Sequence, residues 1–270
     1  MRKLILFAAA LFCLVSCNQP KAEPADELVT DQYGVVTRVN PGKKTVYLVF
    51  TGHFSLNDNG AFENFDGIDP VLDTLADRGV KGSFFPTGVC FDQPKYEESI
   101  KRIIADGHYL SAHSYAHLLL CNESTKETSV TKDSLIADIA KMEAVLQRFG
   151  LEKKDYDYMI PPYENYNQET ADWLKELGFS LCNHTAGIHS SSDWLPEGAK
   201  GFVSGLQNVQ SIYDYEEKNG LDGCVVLIHA MVYPGRQETD RTFTHLGEVI
   251  DTLRERGYDF DTFKNVSRQQ

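Results

Sequence analysis

The chain has 270 residues, 42% of them hydrophobic and 24% charged, and 39 acidic side chains against 26 basic ones give a formal net charge of −13. A surface this acidic gains nothing from counterion release on a phosphate backbone, so nucleic acid and anionic lipid are disfavoured as partners. A neutral or cationic glycan suits it better.

Met1-Arg2-Lys3 is followed by an apolar run from Leu4 to Val15 that ends in Leu14-Val15-Ser16-Cys17, the charged, hydrophobic, small order of an export signal. The run is too short for a permanent transmembrane helix. It resembles a bacterial lipoprotein signal peptide, which implies residues 1–17 as signal with lipobox and Cys17 as the acylated residue. The mature chain would then sit at the cell envelope, periplasmic or at the outer membrane, touching the membrane through its lipid alone. Loss of Arg2 and Lys3 would take the charge from −13 to −15. Residues 18–30 are polar and Pro-containing and read as a flexible tether. Residues 31–270 then suit one large domain. Cys90, Cys121, Cys182 and Cys224 leave three full disulfide pairings open in an oxidising compartment; Cys90 and Cys121, each just beyond a predicted strand, are candidates to meet on one rim.

After the tether, short apolar runs alternate with amphipathic segments. Thr45–Phe50 reads as a buried strand, and Phe65–Arg78 as a helix with Ile68, Leu72 and Leu75 on one face, closed by Gly79. Lys81–Phe85 is the next strand, Lys95–Ala105 the next helix and Tyr109–Ala112 the third strand. A helix over Ser134–Phe149 closes at Gly150, a strand over Tyr156–Ile160 at Pro161-Pro162, and a helix over Gln168–Leu177 at Gly178. Strands at Phe179–Cys182, Gly201–Val203 and Cys224–Ile228, a helix at Leu246–Arg256 and a strand at Tyr258–Phe260 complete the series. Repeated βα units imply parallel strands joined by right-handed crossovers, and seven or eight close into a barrel, with an open doubly wound sheet as the alternative. In a barrel the C-terminal strand ends share one rim and supply the site.

His113-Ser114-Tyr115-Ala116-His117 begins at such a strand end, and an i, i+4 pair on a first helical turn would project both imidazoles from one face toward one divalent ion. With eight histidines in the chain the pair alone is a weak signal. Further motifs follow in order: Ser83-Phe84-Phe85-Pro86-Thr87-Gly88 earlier, then Tyr158-Met159-Ile160-Pro161-Pro162-Tyr163, Ser192-Asp193-Trp194 and Leu227-Ile228-His229. From about Thr45 to Phe260 this succession resembles the polysaccharide deacetylases of the NodB homology family (carbohydrate esterase family 4). The resemblance implies a distorted (β/α)7 barrel, a divalent metal that is usually zinc, and hydrolysis of an N- or O-acetyl group from an oligosaccharide or polysaccharide. On it, His113 and His117 take the places of two metal ligands and His229 that of the general acid. Pro162, Tyr163 and Trp194 match the groove that holds the acetyl methyl group, with Asp193 beside them at the substrate.

The departures matter as much. Where the family's first strand ends in Thr-Phe-Asp-Asp-Gly, this chain reads Val49-Phe50-Thr51-Gly52-His53, so the catalytic and ligating carboxylates are both missing. Ile160 stands for the Arg that opens the third motif, and the Asp that tunes the acid His falls on Ser190. One reading makes His53 a third neutral ligand and Asp58 the carboxylate that assists proton removal, since a three-histidine metal with an open position lowers the pKa of water toward neutrality. The other makes the barrel a catalytically degenerate glycan-binding lipoprotein. A glycosidase needs a carboxylate pair on two strand ends, and none is persuasive. Arg236 reads as a solvated surface side chain.

Overall fold

The computed structural model describes residues 26–57, 60–237 and 239–267. The expected export signal, Cys17, the expected tether as far as residue 25 and Asp58 lie outside the described residues. Among those described, no helix is long and apolar enough to cross a membrane.

β1 (Leu28–Thr30) and β2 (Val36–Val39) form an antiparallel hairpin, so the end of the expected tether is paired strand. β3 (Thr45–Gly52) follows, then a short hairpin of β4 (Ser55–Asn57) and β5 (Gly60–Glu63). The βα units run α1 (Ile68–Asp77), β6 (Ser83–Pro86), α2 (Gly88–Phe91), α3 (Glu97–Ala105), β7 (Tyr109–Leu110), α4 (Lys132–Arg148), β8 (Tyr158–Met159) and α5 (Gln168–Glu176). The last part is β9 (Ser180–Leu181), α6 (Gly205–Asn219), β10 (Val225–His229), α7 (Leu246–Glu255) and β11 (Asp259–Asp261).

β3 is buried along nearly its whole length, as a parallel strand covered on both faces must be. It pairs in parallel with β10 on one edge and with β11 and then β6 on the other. β6 pairs with β7, a parallel bridge from Ala112 to Met159 reaches β8, and β8 pairs with β9. Bridges from Cys182 to Val36 and from Arg38 to Cys224 carry the ring through β2 back to β10. The result is a distorted (β/α)7 barrel, distorted because three of its joints are single bridges.

Strand alternation sorts the core into two shells. Leu48, Phe50, Phe84, Val226 and Ile228 face the helices and pack with Ile68, Leu72, Ile100, Ile139 and Val249. Tyr47, Val49, Phe85, Tyr109, Tyr158, Ile160, Val225 and Leu227 fill the barrel interior. Extending each interior series by two residues past the strand end gives Thr51 and His53, Thr87, Ser111 and His113, Pro162, and His229. The period of two therefore delivers these side chains to one rim before any ligand is considered.

Three expectations need correction. Gly201–Val203 is not a strand; the chain there runs into α6, whose Ser204–Gln207 capping box starts a helix that the sequence reading missed. That helix buries Gly205, Asn208, Val209 and Ile212, too polar a stripe to register as amphipathic. Residues 113–117 are not helical: they form an irregular loop with Ser114 at φ 58° and His117 at φ 57°. The four internal cysteines are all buried and unbonded, so Cys90 and Cys121 do not meet.

Candidate functional site

A cavity of about 530 Å³ opens at this rim, lined by His53, His113, His117, His184, His229, Glu164 and Trp194 among others. His113 donates through Nδ1 to the Ile160 carbonyl at 2.8 Å. A carbonyl can only accept, so the neutral ring carries its lone pair on Nε2, toward the cavity. Burial pushes His113 down to about 3 and so keeps it neutral. Ile160, in the position of the family's Arg, thus contributes its backbone oxygen while its side chain fills the barrel interior.

The loop from Ser114 to Leu118 is pinned despite its irregularity. Asp138 of α4 accepts from the Tyr115 and Ala116 amides at 2.7 and 2.9 Å, and the Ser114 carbonyl accepts from Gly88 N at 3.0 Å. The His117 ring lies 5.0 Å from that of His113 and 4.6 Å from that of His53, centroid to centroid, and stacks on Tyr163 at 4.1 Å. His53 Nδ1 is hydrogen-bonded to Thr87 Oγ1 at 3.0 Å, and burial pushes His53 down to about 4. Burial holds His117 far below the ordinary histidine value, with the neighbouring His113 adding to the effect. Three neutral imidazoles therefore share one wall.

His229 on β10 is different. Its Nδ1 lies 2.9 Å from Asp193 Oδ1, and Asp193 is 1% exposed with its second oxygen accepting from Thr242 N at 3.1 Å and Thr242 Oγ1 at 2.8 Å. Burial alone would raise the Asp193 carboxyl, but the His229 ring and the two Thr242 donors bring it below the usual range. The tuning carboxylate of His229 is thus Asp193. Ser190, where the motif alignment placed it, donates to the Leu227 carbonyl at 2.6 Å instead. Asp193 does not reach the cavity as a substrate contact. Nor is Arg236 solvated: its guanidinium is buried against the carbonyls of Leu195, Val203 and Asp240 and the Asp240 carboxylate, clamping the loop that presents Asp193 and Trp194.

Trp194 and Tyr163 are 57% and 52% exposed at the mouth, while Pro162 is buried and does not line the cavity. Glu164, which sequence reasoning overlooked, lies in the wall with its Oε1 3.9 Å from His113 Nε2. Its only sequence signal is its place directly after Pro161-Pro162-Tyr163. Asp138, Thr87 and Thr242 were also missed, because a residue that orients another carries no spacing signature.

The donor set suits a divalent cation in type. Nitrogens about 2.0–2.1 Å from zinc put neighbouring imidazole centroids about 5 Å apart, close to the 4.6 and 5.0 Å observed. Thr51 Oγ1, on the cavity floor, is buried without a hydrogen-bond partner among the described residues. As the side chains stand, no three or more His, Cys, Asp or Glu groups among the described residues form a closed ligand set.

A ring of mostly parallel strands with buried histidines at its C-terminal rim defines an α/β barrel protein with a polar rim site. The polysaccharide deacetylase family model matches residues 38–182, more than half of the chain, and the chain belongs to that family of carbohydrate-directed hydrolases. It is 27% identical to the peptidoglycan-N-acetylmuramic acid deacetylase PdaA of Bacillus subtilis over 93% of this chain and 81% of that protein. The solved structure of Bacillus subtilis PdaA, a family 4 carbohydrate esterase, matches with a TM-score of 0.59 at 22% identity over 87% of this chain and 85% of that one. A family 4 pseudoenzyme from Bacillus anthracis matches with a TM-score of 0.62 at 17% identity, over 86% of this chain and 68% of that one. These structures bear out the barrel.

Proposed function

We propose that the chain is a metal-dependent hydrolase that removes N- or O-linked acetyl groups from a carbohydrate or cell-wall glycan. His113, His117 and His53 hold the cation, zinc being the natural match to nitrogen donors, and His229 is the general acid. The observation that carries this reading is the Asp193-backed imidazole of His229 on the same cavity as a cluster of imidazoles held neutral by burial. The name of the Bacillus subtilis relative supports a cell-wall glycan as substrate.

When bound, the cation would polarise an acetyl carbonyl and acidify water. The rest falls to the chain's own residues. The Ile160 carbonyl fixes the His113 tautomer so that Nε2 faces the cavity. Asp193 orients His229 through Nδ1 and stabilises its protonated form, so that a proton held at Nε2 can pass to the departing amine or alkoxide. Trp194 and Tyr163 offer aromatic faces to a pyranose. The role expected of Asp58 falls outside the described residues.

The test is acetate release from acetylated chitooligosaccharides and peptidoglycan fragments by protein loaded with zinc, beside His113→Ala and His229→Ala. Acetate from the parent chain and none from either variant supports the reading. The carboxylate-free end of β3 favours a second one, a glycan-binding barrel without turnover; sugar affinity with no acetate under any divalent metal would establish it instead. We also infer lipid anchoring through Cys17 at the bacterial envelope, supported by Leu14-Val15-Ser16-Cys17. Failure of Cys17→Ala to release the protein from membranes would refute that.

A further inference from the structure

We propose that Glu164 is the anionic ligand of the cation site, replacing the carboxylate that the end of β3 lacks. This rests on the metal-site reading above and deepens it. Glu164 Oε1 faces His113 Nε2 at 3.9 Å, and the ring's other nitrogen is committed as a donor to Ile160. Two acceptors therefore point at one another, a carboxylate and an imidazole lone pair, at a separation too long for a hydrogen bond and too short to be indifferent. The carboxylate accepts no hydrogen bond from any described residue, although its side chain is only 19% exposed. A cation between the two groups satisfies both.

The backbone is bent to hold this side chain there. Tyr163 at φ 58° and Glu164 at φ 52° are consecutive non-glycine residues in the left-handed region, a strained arrangement that persists only where the surroundings impose it. Glu164 N donates to the Pro161 carbonyl at 3.0 Å, and Asn183 Nδ2 donates to the Glu164 carbonyl at 3.3 Å. One turn thus stacks Tyr163 on His117 and aims Glu164 at His113. Among the described residues, the other acidic groups near the site are committed or remote: Asp193, behind the cavity wall, is bound to His229 and Thr242, and Glu123 is exposed on the rim.

The experiment is calorimetric titration of zinc into chelator-stripped protein, with thermal unfolding of the metal-free forms alongside. Glu164→Gln keeps shape and loses charge, and is expected to weaken zinc binding at least about 10-fold, as His113→Ala does. Glu164→Gly removes the left-handed strain, so its metal-free form is expected to melt about 2–4 °C higher while binding zinc no better than Glu164→Gln. Should Glu164→Gln fail to fold, Glu164→Gly carries the comparison. Wild-type zinc affinity in both Glu164 variants, with affinity lost in His113→Ala, overturns the assignment of Glu164 and leaves the imidazole site standing. Wild-type affinity in His113→Ala as well overturns both.

Discussion

Across the cavity, His113 and His229 are the same side chain in opposite electrostatic company. His113 gives its Nδ1 proton to a backbone carbonyl, whose partial charge orients the ring without stabilising a second proton, and burial keeps the ring neutral. His229 gives its Nδ1 to a buried carboxylate that Thr242 holds in place, so a protonated ring has a counter-charge. The first arrangement suits the ligand role proposed for His113, the second the acid role proposed for His229. The difference lies in burial and in what each ring's Nδ1 touches, which are properties of the neighbouring strand or loop and not of the histidine.

If the walls divide labour in this way, removing each should leave a different signature. The largest effect is expected from His229→Ala, which should lower kcat by about 10²–10⁴-fold while zinc affinity stays at the wild-type value. A fall in metal affinity, measured by titration, would break the division. Asp193→Asn should act in the same sense by about 10–100-fold, again with metal retained, and should move the alkaline limb of the pH dependence of kcat, the limb a general acid sets, to lower pH.

Next comes Arg236→Met, which removes four hydrogen bonds from the clamp on the Asp193–Trp194 loop. Two to three kcal/mol of stability, about the cost of leaving buried carbonyls unpaired, should be lost by chemical denaturation. Catalysis should fall with unchanged zinc affinity, because the clamp serves only the acid wall.

The smallest effect sharpens the comparison with a histidine outside the site. His108 accepts from Gly82 N at 3.0 Å through Nδ1, and burial, helped by Lys81, pushes it down to about 4. The unfolded chain takes up this proton near pH 6.5, before the folded one does. Stability should therefore be flat above about pH 7 and drain by on the order of 2 kcal/mol as pH falls from about 6.5 to about 4. Denaturant midpoints of metal-free wild type and His108→Asn across this range check it: the variant should lose part of the slope. An unchanged slope would show that burial alone does not set the neutral state.

Much of the barrel was legible because β3 and β6 are apolar runs closed by Gly52 and Pro86, β10 is an apolar run ending at His229, and helices with one apolar face space them. α6 was not, since its buried face includes Gly205 and Asn208, whose partner Thr242 lies 34 residues away in the chain. His113, His117 and His229 could be singled out from motif order. Their convergence depended on the strand period that turns residues 53, 113 and 229 inward, and the helical geometry expected for His113 and His117 was replaced by a pinned loop.

Sequence by itself determined the alternation of strands and helices, the family likeness and the identity of the histidines, because periodicity and short motifs are local and survive without a fold. Only the tertiary structure decided that Asp193 and not Ser190 backs His229, that Arg236 is a buried clamp, and that Glu164 stands opposite His113. Each of these is a contact between segments 36 to 51 residues apart or across a loop whose path no local pattern encodes. Charge partners chosen by folding leave no periodic trace in the chain.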